Sequence, residues 1–361
     1  MIYLDNASTT PLCDAAKQTI IEHLDDYGNP SSLYEFGKKS QFFIEDARQR
    51  IAQCINAEPD EIFFTSGGSE ANSWVTNQYM TISTQFEHHS LKAHYPQINV
   101  SKDGVVDPQR FGCVNHKLFR LFEMMSCMYV NNELGTIQPI QDIATIAHSK
   151  NMLFHTDAVQ AVGHIPIDVK TLNCDMLSAS AHKFFGPKGV GFLYVKQGVE
   201  LKPLINGGKQ ESSKRGGTEN ILGIISMATA LEDAVEHMEE CNKYIKHLRN
   251  KMLARLLMIP GSHLNGSLDN RVVSNINIRF DGVSASQLVT LCDLYGICIS
   301  AGSACNEGEA TPSHVLKAIG LSDEQALNSI RITIGHQNTE EEIDTATTFI
   351  TQLVERIRNH D

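Results

Sequence analysis

The chain has 361 residues, 42% of them hydrophobic and 20% charged, a composition that sustains one large core beside a smaller unit and excludes disordered and fibrous classes. A net charge of −12, spread without blocks of like sign, favours solubility and argues against direct nucleic-acid binding. No apolar run is long enough to span a bilayer, no secretory signal is evident, and nine irregularly spaced cysteines without a Cys-x-x-Cys pair fit reduced thiols, so a cytoplasmic location is expected.

In chain order, helical spacing of apolar residues predicts helices over Ala15–Leu24 and Lys38–Ile55. Apolar runs predict strands at Glu61–Thr65, Met125–Val130, Leu153–His155, Asp175–Ser178 and Val190–Val195, with a helix over Ile143–His148 among them. Thr218–Leu257 reads as helical with breaks, and its later part mixes charged with apolar positions. After Pro260-Gly261 the texture changes to strand-like alternation at Val272–Phe280, and a charged helix from Glu340 to Arg358 ends the chain. Alternating strands and helices predict an α/β architecture with a mostly parallel sheet. A large domain is expected over 15–259, and a smaller α+β domain over 1–14 and 260–361.

Some segments read as chemistry. Thr65-Ser66-Gly67-Gly68-Ser69-Glu70-Ala71-Asn72 follows a strand and opens a helix, an arrangement whose free N–H groups can hold a phosphate. His88 and His89 have no Cys or second acidic cluster at ligand spacing, so no metal site is expected, and an imidazole stacked on a planar ring is the functional alternative to a surface histidine. Asp157 ends an apolar run, and Lys183 lies between small residues and the turn Gly186-Pro187-Lys188-Gly189. An amine able to form a Schiff base and a carboxylate able to keep a pyridine nitrogen protonated are together what pyridoxal 5'-phosphate requires.

Cys305 stands in Ser300–Glu309, a stretch of small residues with no Leu, Ile or Val between Ile299 and Val315. That setting favours a reactive, mobile nucleophile over a core thiol. Arg331 interrupts an alternating apolar strand. It reads either as an edge residue on a solvated face or as a buried clamp for a carboxylate.

These motifs resemble, in order and over nearly the whole chain, the class V aminotransferase-fold family and within it the cysteine desulfurases of the NifS/IscS type. The resemblance rests on Tyr3–Pro11, Thr65–Asn72, Glu87-His88-His89, Val130–Ile140, Asp157–Gln160, Ser180–Gly189, Arg215–Asn220, Gly302–Cys305 and Ser329-Ile330-Arg331. It implies a PLP-dependent transferase of the aspartate aminotransferase-like fold type I, converting L-cysteine to L-alanine with the sulfur captured as a persulfide on Cys305. Lys183 would hold the cofactor, Asp157 would pair with its ring nitrogen, Gln160 and Asn132 would contact the ring hydroxyl side, and His88 would stack on the ring and relay protons. Gly68, Ser69, Ser180 and His182 would bind the phosphate, with Thr218 reaching it from the neighbouring subunit of a homodimer. Asn6, Asn132 and Arg331 would hold the substrate carboxylate.

The resemblance also implies a sulfur-acceptor protein, serving iron–sulfur cluster assembly, tRNA thiolation or DNA phosphorothioation. Departures from the family pattern are Ser8 and Ser69, expected to preserve phosphate donors, and Glu307 and Glu309, which would raise the Cys305 pKa if close or would mark an acceptor surface. The stretch between His88 and Asn131 departs most and is a candidate partner surface. The alternatives are a selenocysteine lyase or other carbon–sulfur lyase, and a catalytically quiet adaptor.

Overall fold

The computed structural model describes residues 1–91, 97–112, 121–301, 305–306 and 309–359, with backbone only at 97, 111–112, 305–306 and 309–310. The strands in chain order begin with β1 (Ile2–Tyr3), followed by β2 (Ile62–Thr65), β3 (Thr81–Thr84), β4 (Gln97–Ile98), β5 (Met124–Ser126), β6 (Leu153–Asp157), β7 (Met176–Ser180) and β8 (Gly191–Val195). The later strands are β9 (Ser262–Leu264), β10 (Asn275–Phe280), β11 (Ile297–Cys298), β12 (Ser300–Ala301), β13 (Cys305–Asn306), β14 (Glu309–Ala310) and β15 (Ser329–Thr333).

Seven strands form one sheet in the order β2-β8-β7-β6-β5-β3-β4. Only β8 runs against its neighbours, pairing antiparallel with both β2 and β7. The sheet is therefore mixed and mostly parallel, as expected. Alternation along each strand feeds two cores. Ile62, Phe64, Met125, Leu177, Phe192 and Tyr194 join the main core, while Phe63, Met124, Met176, Leu193 and Val195 pack on the opposite face against Ala71, Trp74 and Val75 of helix 68–78.

The main core also takes the buried face of helix 35–54 (Ile44, Ala47, Ile51, Ala52) and of helix 221–236 (Ile224, Ile225, Ala228, Leu231). A separate core surrounds the four-stranded sheet β12-β15-β10-β9 and the helix 340–358, whose Ile343, Ala346, Ile350, Leu353 and Ile357 repeat at helical spacing. Thr339 caps that helix in a reciprocal pair with Glu342, which fixes its start. Helix 238–256 precedes residue 260 in sequence, yet Ile245, Leu248, Met252 and Leu256 lie in this second core.

Observed elements exceed or trim the expected ones by a few residues. The expected strand Met125–Val130 is only Met124–Ser126, because the chain then turns through Asn131, whose Oδ1 accepts from the backbone N–H groups of Glu133 and Leu134. No helix among the described residues is long and apolar enough to cross a membrane.

Candidate active site

Parallel strands leave their carboxyl ends on one edge of the sheet, and there the chain places its polar residues. β6 ends on Asp157, β7 ends on Ser180, and a short 3-10 turn carries the chain on to Lys183. β2 ends on Thr65 and leads into the helix that starts at Gly68. Gly67 sits at φ +148°, and a Cβ on Gly68 would meet Val159 Cγ2 at 2.4 Å, so this turn is glycine because its backbone is pressed against the next loop. The helix N-terminus has no side-chain cap. Its free N–H groups suit an anion.

A cavity of ≈ 690 Å³ opens at this edge, lined among others by Gly68, Ser69, His88, Asn132, Asp157, Gln160, Ser180, His182, Lys183 and Arg331. Most of the sequence-predicted residues are thus brought together. Asp157 is 4% exposed, accepting from Asn72 Nδ2 at 2.6 Å and from the Val159 N–H at 3.0 Å. Lys183 Nζ donates to the carbonyls of Ala7 at 2.7 Å and Ser8 at 2.6 Å. Burial pushes its pKa down to about 8; nearby Arg331 adds to this, while Asp5 and Asp157 oppose it. Burial likewise pushes His182 down to about 4, with Lys183 and Lys188 adding to the effect. That imidazole is neutral at pH 7, and its Nδ1 lies 3.1 Å from Thr9 Oγ1.

Arg331 is 7% exposed in β15, between Asn277 of β10 and Ser300 of β12. The strand-edge alternative fails, because the guanidinium turns toward the cavity. Nη1 donates to the Asn132 carbonyl at 2.9 Å, and Nη2 donates to Asp5 at 2.9 Å and to Ser8 Oγ at 3.1 Å. Arg331 Nε and Asn132 Oδ1 are buried without partners, as expected of groups waiting for a ligand.

Two expectations are met differently. Asn6 does not line this cavity; its Nδ2 donates to the Thr333 carbonyl and its Oδ1 accepts from Gln337, so the amide braces the amino-terminal segment instead of facing a substrate. Ser8 spends its hydroxyl on Arg331, not on a phosphate cradle. Thr218 is exposed and outside the lining residues, as a residue expected to act from a neighbouring subunit would be. The Cys305 side chain, Glu307 and the side chain of Glu309 lie outside the described residues. So do 92–96 and 113–120 of the departing stretch before Asn131. The backbone of Cys305 pairs with Ala310, and the segment is closed by Ser313, which donates to Glu133 at 2.6 Å.

Sequence reasoning gave no role to Asn72, Ser90 or Asp5, which hold Asp157, His88 and Arg331 respectively. A signal for Asn72 was present. It stands four residues after Gly68, on the same helix face and one turn inward.

Residues 2–345 match the aminotransferase class-V family. The chain belongs to that family. Class-V aminotransferases and their cysteine desulfurase relatives depend on pyridoxal phosphate, and the buried carboxylate, the depressed lysine and the glycine cradle described above fit that cofactor. Among relatives of this class-V chain, a cysteine desulfurase IscS of Methanosarcina thermophila is 39% identical over 99% of this chain and 93% of its own. The cysteine desulfurase NifS of Azotobacter vinelandii is 35% identical over 99% and 94%. A solved NifS-like protein superimposes with a TM-score of 0.89 at 34% identity, covering 98% of this chain and 99% of its own. SspA solved in complex with cysteine gives a TM-score of 0.80 at 31% identity, covering 94% and 100%.

Proposed function

We propose that this chain is a pyridoxal-phosphate-dependent cysteine desulfurase. The observation that carries the reading is the convergence of Lys183, Asp157, the Gly67-Gly68 turn and the partnerless Nε of Arg331 on one cavity. The full-length similarity to cysteine desulfurases supports it.

In this reading Lys183 would hold the cofactor, Asp157 would pair with its ring nitrogen, and Gln160 and Asn132 would face its hydroxyl. Gly68, Ser69, Ser180 and His182 would cradle its phosphate, and His88 would stack on the ring. When bound, the cofactor supplies a protonated ring that draws electrons from the α-carbon of an attached amino acid. Arg331 Nε and Asn132 orient the L-cysteine carboxylate. Lys183 Nζ, as a neutral amine, would take the Cα proton. The Cys305 thiolate attacks the substrate sulfur; the carbon–sulfur bond breaks as the new sulfur–sulfur bond forms, so that L-cysteine and Cys305–SH become L-alanine and Cys305–S–SH.

The persulfide is then passed to an acceptor protein, with iron–sulfur cluster assembly as the default and tRNA thiolation or DNA phosphorothioation as the other routes. The working unit is a cytoplasmic homodimer, with residues 15–259 as the cofactor-binding domain and 1–14 with 260–361 as the smaller one. Tyr27, Leu33 and Phe42, exposed by 83%, 89% and 66%, support a face for a second copy, from which Thr218 would reach the phosphate.

The test is alanine and sulfide production from L-cysteine with a reductant present. Turnover is expected to vanish in both Cys305→Ser and Lys183→Ala, with the cofactor absorbance retained in Cys305→Ser. Turnover that survives Cys305→Ser would make the chain a lyase that releases sulfur directly.

A further inference from the structure

Behind the cavity, hydrogen bonds run from Asp157 to His88 through two residues to which the reading above gives no part. Asn72 Nδ2 donates one hydrogen to Asp157 Oδ2 at 2.6 Å and the other to Ser90 Oγ at 2.9 Å. Asp157 fixes which way this amide faces, since a flipped Asn72 would set its oxygen against the carboxylate. The Asn72 oxygen is buried without a partner, the cost of facing its nitrogen both ways. The Ser90 hydroxyl, which accepts from Asn72, lies 2.7 Å from His88 Nδ1 with its own hydrogen free to donate there. The Ser90 backbone N–H aims at the same nitrogen at 3.1 Å, and that donor cannot rotate. Two donors on Nδ1 leave no room for a proton there.

We propose that Ser90 is a positioning residue that holds His88 as the neutral tautomer with its proton on Nε2, so that the ring meets the reactive centre as a hydrogen-bond donor and not as a base. This deepens the cysteine desulfurase reading and rests on it for what His88 does there. The Nε2–H group would suit the substrate's thiolate sulfur, and proton removal from Cα falls to Lys183 alone.

The groups facing the ring agree. Asp157, His89, Lys183 and His314 surround it. Burial pushes its pKa down, and although Asp157 opposes this, His89 and Lys183 add to it, so the net shift is downward. An imidazolium would need a proton on Nδ1, against both Ser90 donors.

Nitrogen-15 NMR of histidine-labelled holoenzyme tests this, with His88 assigned by the signal lost in His88→Gln. The expected spectrum at pH 7 to 8 shows His88 Nδ1 as a bare, hydrogen-bonded ring nitrogen and Nε2 as an N–H. In Ser90→Ala the Nδ1 signal moves toward the protonated position and the titration midpoint of His88 rises. Ser90→Thr restores the native spectrum, and the acid limb of the kcat profile follows the midpoint in each variant. A protonated Nδ1 in the native protein, or a Ser90→Ala spectrum identical to it, would overturn the inference. The NMR reports on the ring whatever the chemistry, so full turnover in His88→Gln would count against the role of His88 and leave the tautomer assignment to be judged on its own.

Discussion

Arg331 and Asp5, 326 positions apart in sequence, form a 2.9 Å ion pair that occupies only one corner of the guanidinium. Nη1 is held by the Asn132 carbonyl while Nε stays buried and free, so a carboxylate binding there, as proposed, would meet a preorganised clamp. Arg331→Lys keeps the charge but loses the planar fork. The expected result is a rise in KM for L-cysteine on the order of 10- to 100-fold, the range of a lost charged hydrogen bond, with cofactor binding unchanged. Steady-state kinetics beside an absorbance titration checks it. Equal loss of cofactor binding would mean that Arg331 supports the fold and not the substrate.

Lys183 gives the cofactor-free protein a pH dependence with a definite sign. Its pKa is pushed from 10.5 down to about 8 by burial first. Between those values the unfolded chain holds more protons at this site than the folded one, so apo stability rises with pH across that window. Below pH 8 the buried ammonium is a standing cost, and Lys183→Met is expected to stabilise the apo protein there by at most about 3 kcal/mol, less for the part of the group open to solvent. The difference closes above pH 10. Attack on an aldehyde needs the neutral amine, so cofactor uptake by native apoenzyme accelerates as pH rises through about 8. Urea melts across pH and stopped-flow absorbance would check both.

Most of this site was legible in the sequence because its chemistry is carried by unusual residues in small-residue surroundings. Lys183, Asp157 and the Thr65–Asn72 turn announced themselves in that way, and Arg331 did so by interrupting an apolar strand. Asp5, Asn72 and Ser90 did not, because a residue that acts through another has no pattern of its own. Asp5 meets Arg331 only after the second sheet folds back on the amino terminus. Asn6, to which the resemblance gives the substrate carboxylate, bonds Thr333 and Gln337 here, a pairing that composition does not show, since it depends on which of two adjacent side chains turns outward. Nor did the break after residue 260 reveal that helix 238–256 packs in the later core.

Gly68 tests the cradle. Its missing side chain lets the turn approach Val159, which a Cβ would meet at 2.4 Å. Gly68→Ala should therefore cost about 1–3 kcal/mol of stability by overpacking and, on the proposed reading of this turn as the phosphate cradle, weaken cofactor binding. Thermal melts and equilibrium dialysis would measure the two effects. Unchanged cofactor affinity in a destabilised Gly68→Ala would place the phosphate elsewhere.

Glu211 anchors the loop that carries Thr218. It is buried, accepts two bonds from Arg48 at 3.0 and 2.8 Å and one from the Phe64 N–H at 2.8 Å, and stands at φ +45°, with Ser212 and Ser213 also positive. Three successive non-glycine residues in left-handed backbone are strained, and the buried ion pair holds them. Phe64 belongs to the strand that leads into the Gly67-Gly68 turn, so one carboxylate ties that turn to the Thr218 loop. Glu211→Gln should cost about 3–5 kcal/mol by leaving Arg48 charged and underpaired. Cofactor affinity should fall as well, because a loosened loop would no longer present Thr218 to the neighbouring subunit. The check is a urea melt paired with cofactor dissociation measured at several protein concentrations. Loss of stability with native cofactor affinity would limit Glu211 to the fold and remove Thr218 from the phosphate site.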